Sequence, residues 1–193
     1  MKAYSLQRMS AFLIDYFIVA LIVGAFTAFI PTSKEYDNAV KDETNIITEY
    51  SENQDINQLL DKFSTNSYII SKEGMVFTVI NVLVGLAYYG TFVFYNNGQT
   101  IGKKIMKIKI ESLNGSLSHS KCLLRCSVIN GFFSSSISMI ILLFINSSQY
   151  LYTVGLVSEL QSLMFIVSSF FVLFRKDGRG LHDLLFNTKV ISV

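Results

Sequence analysis

The chain has 193 residues, 51% of them hydrophobic and 16% charged, with one Pro and a net charge of +2. A soluble domain carries charge on about a quarter of its residues, so this composition excludes an ordinary soluble protein and points to the bilayer. The length fits one domain, 1–193, and the longest polar stretch, 31–73, is near the lower limit for an independent fold, so no separate soluble catalytic domain is expected.

Four apolar blocks, about 10–30, 75–95, 122–145 and 154–174, each reach the roughly 20 residues that cross a bilayer core. The first holds Asp15 about a third of the way in. A charge at the bilayer centre costs about 2.5–3.5 kcal/mol on insertion scales, so this carboxylate needs a partner, a proton or water. A cleaved signal peptide is not expected: the run is too long, holds Asp15 and precedes three further spans. Ala20, Gly24 and Ala28 form a small-residue stripe suited to close helix packing, and Pro31 closes the span.

Residues 31–73 carry four Lys against nine acids. Ile56, Leu59, Leu60 and Phe63 fall at helical spacing, and Ile46, Ile47 and Tyr50 hint at a second stripe, so one or two short amphipathic helices are expected there. Block two has Asn81 as its strongly polar side chain and ends at the turn signal Asn96-Asn97-Gly98. Residues 96–125 hold six Lys or Arg against Glu111 alone. Within them 100–106 reads as an interfacial helix bearing Lys103 and Lys104. Ile108 and Ile110 then alternate with Lys107, Lys109 and Glu111, and Asn114-Gly115 follows, which predicts a β-hairpin.

Block three opens with Cys122, Arg125 and Cys126, carries Ser127, Gly131 and Ser135 at spacing four, and has Asn130 toward its middle. This second small-residue stripe is expected to dock on that of span one. Block four leads into a basic tail. There Leu181, Leu184 and Leu185 suggest a surface turn of helix, and 188–192 alternates as a last short strand suited to pairing with the hairpin. The basic segments are the two ends and 96–125; the acidic loop and 146–153 are not. The positive-inside rule then puts both termini in the cytoplasm. The predicted fold is an all-α membrane protein of four transmembrane helices, N-in and C-in, with a short cytoplasmic β-hairpin and tail.

Arg8-x-x-Ala11-x-x-Ile14-Asp15, then Gly98-Gln99-Thr100-Ile101-Gly102-Lys103-Lys104, then Gly180-Leu181-His182-Asp183-Leu184-Leu185 with Thr188, resemble in order the three motifs of the RDD family of bacterial membrane proteins. The resemblance covers nearly everything except 31–73. It implies a multi-pass plasma-membrane protein whose signature residues are Arg8, Asp15 and Asp183, and transport of a small solute or ion. The chain departs from the family at Met106-Lys107 and Phe186-Asn187, where small residues and Gly are favoured.

From the residues alone, Arg125 and Asp15 are depth-matched to within ~2 Å at 1.5 Å per residue. They are therefore expected to pair, directly or through water, leaving Arg8 for Asp183. The resulting cluster of Arg8, Asp15, Arg125 and Asp183, with Asn130 nearby, fits two roles. It locks the helices to the tail, or it forms a cation- or proton-linked site with Asp15 titrating. His119, Cys122 and Cys126 share a helix face, but their spacing is too loose for zinc, so neither metal nor cofactor is expected. No nucleophile–base arrangement points to an enzyme, and the basic stripes suit anionic lipid rather than nucleic acid. Four helices enclose little, so the partners expected are the bilayer and a second copy or a membrane protein. The alternative to transport is a scaffold or accessory subunit that docks a partner protein.

Overall fold

The computed structural model describes residues 3–53 and 56–193; Lys2 and the side chains of Ile47 and Tyr50 lie outside the described set. α1 (Ser5–Thr27) is the first apolar helix, starting five residues before the predicted block. Its buried stripe is Ala11, Asp15 and Val19. Ala20, Gly24 and Ala28 are exposed, and Gly24 faces open space, so the expected docking of this stripe on span three does not occur. The two stripes compete for one interface. At 3.6 residues per turn Ala20 sits about 140° round the helix from Asp15. Burying a carboxylate against donors outweighs close packing of small residues, and Asp15 sets the rotation.

α2 (Lys34–Asn53) and α3 (Ile56–Glu73) pack on each other and fill the acidic loop, as longer helices than predicted. α3 is tied to the far end of the bundle by Ser64 Oγ donating to Ser147 O at 2.6 Å and by Tyr68 edge-on to Tyr150. Gly74 separates α3 from α4 (Met75–Gly85), which continues through a π-type stretch, Leu86–Phe92, into α5 (Val93–Tyr95). Together these form one apolar helix, Met75–Tyr95, the predicted second span. Wide π turns recur at functional sites because they re-aim side chains, and this one carries the buried Tyr88.

Short α6 (Ile101–Ile105) and β1 (Ile108–Ser112) follow. The predicted hairpin is corrected here. After Asn114-Gly115 the chain enters α7 (His119–Ile129), capped by Ser118, and β1 finds its antiparallel partner in the tail strand β2 (Thr188–Ser192), Ile110 opposite Val190. The predicted third span is also corrected. α7 and α8 (Phe132–Leu142) meet at a 69° bend where Gly131 takes φ +73°. A left-handed glycine ends a helix by satisfying its last carbonyls locally. The Val128 carbonyl is then bonded by Gln161 Nε2, at 3.0 Å, from α9 (Ser147–Phe174). Among the described residues three helices are long and apolar enough to cross a membrane, four if the bent pair counts as one span. Their outward residues, such as Leu21 and Phe174, are about three-quarters exposed, as lipid-facing side chains are.

α10 (Leu181–Leu185) leads into β2, and the region around the sheet contains an internal two-fold relation. Gly98 and Gly178, eighty positions apart, both have positive φ; Thr100 and Gly180 are both N-caps. α6 and α10 each span five residues, Lys107 and Asn187 both take φ near +50°, and β1 and β2 begin one residue later. Ile101 N–H donates to Tyr88 Oη and Leu181 N–H to Ser168 Oγ, again equivalent pairs. The same operation exchanges Leu113 N–H to Asn187 O with Val193 N–H to Lys107 O. Ile110 opposite Val190 is an equivalent pair facing itself, so the axis passes through the middle of the sheet. Beneath the sheet Ala3, Ala11, Val93, Ile108, Ile110, Cys122 and Val190 make the main apolar core.

Candidate functional site

Two buried carboxylates organise the sheet end of the bundle, one for each short helix. Asp15 is 1% exposed. Its Oδ1 accepts from Tyr88 Oη at 2.7 Å and Gly102 N–H at 2.8 Å; its Oδ2 accepts from Thr100 Oγ1 at 2.5 Å. Lys103 Nζ lies 3.9 Å from Oδ2. Thr100 also caps α6, accepting from Lys103 N–H. The loop motif thus works as a receptor for Asp15: a cap hydroxyl, a glycine amide and a lysine arrayed on one short helix. Gly102 is required because a Cβ there would lie 2.4 Å from Ala11 O. Gly98 combines φ +82° with the backbone of Ile110 at 2.2 Å from any added Cβ, and Gln99 Nε2 donates to Ile108 O.

Asp183 is wholly buried. Arg8 Nη2 donates to its Oδ2 at 2.7 Å, while Arg125 meets Oδ1 through Nε and Nη2, each at 3.0 Å. Thr188 Oγ1 and Gly180 N–H complete the shell, and Arg8 Nη1 also donates to Gly178 O. Burial alone would raise the Asp183 pKa, but the Arg125 and Arg8 guanidiniums outweigh it and hold the group well below the usual carboxylate range. The expected direct pair of Asp15 with Arg125 is therefore replaced. Arg125 is committed to Asp183, which reaches it from the tail with two fixed oxygens, and Asp15 takes neutral donors plus Lys103. In the two-fold frame Lys103 and Asp183 are equivalent positions of opposite charge, and each meets its counter-charges on α1 or α7.

His182 is buried beside Asp183, its Nε2 3.5 Å from Oδ2. Ser168 Oγ accepts from Leu181 N–H and lies 2.7 Å from His182 Nδ1. Burial, reinforced by Arg125, brings the His182 pKa down to about 3, so the ring is neutral near pH 7. Burial likewise lowers Lys103 to about 8, with Asp15 opposing.

A cavity of about 560 Å³ lies against this cluster, reached by Arg8, Asp15, Lys103, Arg125, Ser168 and His182 from below and by Asn130 and Ile129 from α7. It opens between α1 and α9, where Met9, Phe12, Phe165 and Leu173 are exposed. A second pocket of about 210 Å³ lies on the other side of the bend, lined by Ser71, Thr78, Ser134, Ser135, Ser138 and Ser158. Asn130 belongs to the first and Ser134 to the second, so the break at Asn130–Gly131 stands between them. His119, at the start of α7, is turned to the second span, its Nε2 3.1 Å from Thr91 Oγ1 and its ring beside Phe94, and among the described residues no three His, Cys, Asp or Glu converge.

Arg8, Asp15, Asp183, Arg125, Gly98, Gln99, Thr100, Gly102 and Lys103 are thus placed in one connected layer, with Asn130 at the far wall of the cavity. Sequence reasoning missed Tyr88, Ser168 and Gln161. Tyr88 and Ser168 sit in apolar runs without a local signal. Thr188 was readable as part of the tail motif, and Thr100 as an N-cap ahead of a helix start that favours an anion. A model described as the RDD family matches residues 3–187, nearly the whole chain. No match was found among curated proteins or among solved structures.

Proposed function

The chain belongs to the RDD family of membrane-associated proteins, and from that premise we propose that it moves a small solute across the bacterial cell membrane, with both termini cytoplasmic. The observation that carries this reading is the pair of cavities meeting at a discontinuous helix. Transporters place binding sites where broken helices face a cavity near the bilayer midplane, and the two cavities on either side of Asn130–Gly131, each with polar side chains among its lining, fit that arrangement. No catalytic step is part of this reading. Four helices enclose a narrow path, so a second copy or a membrane partner completes it.

The sequence suggested a titrating Asp15. Both oxygens of that carboxylate accept hydrogen bonds, two of them from Thr100 and Gly102, so its role in this reading is to anchor α6 beneath the cavity. The test is flux in sealed proteoliposomes carrying a pH-sensitive dye, under imposed H⁺, Na⁺, K⁺ and anion gradients, for wild type and Asp15→Asn. A wild-type signal that the variant reduces, at equal protein in the membrane, supports transport; silence of well-folded wild type under every gradient counts against it. The second reading, a scaffold that docks a partner, is favoured by the exposed Ile56, Leu60 and Phe63 on α3. It predicts that Leu60→Glu abolishes co-purification of one partner without altering flux.

A further inference from the structure

We infer that the larger cavity binds an amphiphile, with a singly charged anionic head on the Arg8, Lys103 and Arg125 floor and an apolar chain lying between α1 and α9. This rests on the transport reading and names its ligand class. Three cations face two carboxylates in the cluster, Asp15 and Asp183, and the buried His182 is neutral, so the floor holds one uncompensated positive charge. An unpaired charge away from water is costly, and an anion relieves it. The three side chains keep 13%, 16% and 10% of their surface exposed, and all three line the cavity.

The walls above the floor have the opposite character. Met9, Phe12, Phe165 and Leu173 are apolar and exposed at the mouth, so the cavity opens sideways, toward lipid in a membrane-embedded chain. A small hydrophilic anion leaves those walls unmatched, and an uncharged amphiphile leaves the floor unmatched. Basic pockets between spans near the inner surface are where anionic headgroups bind. A cavity of about 560 Å³ is within the range of small-ligand sites. Two sources carry this chemistry, a free fatty acid and a singly charged phospholipid of the leaflet.

The test mixes purified protein in a neutral detergent with palmitate, phosphatidylglycerol, phosphatidylcholine or inorganic phosphate, read by native mass spectrometry and by the shift in melting temperature. The expected result is one retained equivalent of palmitate or phosphatidylglycerol, the tighter of the two identifying the source, with neither phosphatidylcholine nor phosphate retained. Lys103→Gln neutralises the residual charge and is expected to weaken binding by about tenfold, as 1.4 kcal/mol does. Ser169→Phe, which fills the cavity wall and leaves every charge in place, is expected to exclude the chain. Phosphatidylcholine held as tightly, phosphate held as tightly, or full affinity in Lys103→Gln each overturns the inference. Retained amphiphile without flux would sink transport alone; flux of a small anion without amphiphile binding would sink this inference alone.

Discussion

At the scale of single residues, the two carboxylates of the site are fully partnered, and His182 shows what burial beside them costs when protons are added. Its pKa is near 3 in the folded chain against 6.5 for a free imidazole, lowered by burial and by Arg125, with Arg8 and Lys103 adding to the effect and Asp183 opposing it. The unfolded chain therefore binds more protons between those values, and stability rises with pH there. The His182 contribution is fully present above pH 6.5 and is lost as pH falls toward 3. Asp183, whose pKa is lowered from an already acidic value, loses its contribution at still lower pH. Melting curves in detergent from pH 7.5 to 4 are expected to show wild type losing stability below about 6.5, with a flatter profile for His182→Gln over the same window. Parallel profiles would mean the ring is not buried neutral. The partner of Asp15 lay beyond the sequence for a related reason. Depth matching finds a cation at the right height but ignores neutral donors, and a cap hydroxyl and a glycine amide from a loop eighty-odd positions away outcompete Arg125.

At the scale of elements, the two loop–helix–strand units are held by backbone angles, and this explains both departures from the family pattern. Lys107 and Asn187 occupy equivalent turn positions at φ +54° and +49°. Glycine suits that region; Asn tolerates it; a Lys there incurs roughly 1–2 kcal/mol of steric strain. Lys107 is exposed, and its ordered bonds are its own N–H to Lys104 O and its carbonyl to Val193 N–H, both kept by glycine. Lys107→Gly is therefore expected to stabilise the chain by about 1 kcal/mol, after the extra chain entropy of glycine, raising the melting temperature by about 2–4 °C, whereas Asn187→Gly changes little. A lower melting temperature for Lys107→Gly would show that its side chain holds the turn. The span Met75–Tyr95 was legible because Gly74 and Asn96-Asn97-Gly98 bound an unbroken apolar run. The broken third span was not, because one Asn-Gly inside an apolar run leaves hydropathy intact. The sheet was read as a hairpin because Asn114-Gly115 is a strong local signal, while the true partner is non-local. The two-fold relation is fainter still: across β1 and β2 only Lys109 with Lys189 and Ser112 with Ser192 are identical.

At the scale of the whole molecule, the question is whether the septum between the cavities moves. Gly131 sits in the left-handed region with its nearest side-chain neighbours 3.4 Å or more from an added Cβ, and among the described residues the hydrogen bond from α9 to the break is Gln161 to the Val128 carbonyl. A join held by one neutral hydrogen bond, worth about 0.5–1.5 kcal/mol, is weak beside the charged layer at the sheet end. Motion is therefore expected at the bend, with the Asp15 and Asp183 layer moving as a rigid base. Ser169→Cys places a thiol in the larger cavity and Ser135→Cys one in the smaller pocket, while Cys122 and Cys126 are buried and react slowly. An impermeant maleimide added from either side of sealed vesicles is expected to label the two positions from opposite sides. A bound anionic amphiphile is expected to slow one rate and speed the other. Labelling of both thiols from the same side would mean an open pore. Rates that no ligand alters would mean a fixed bend, and the broken helix would then belong to a scaffold.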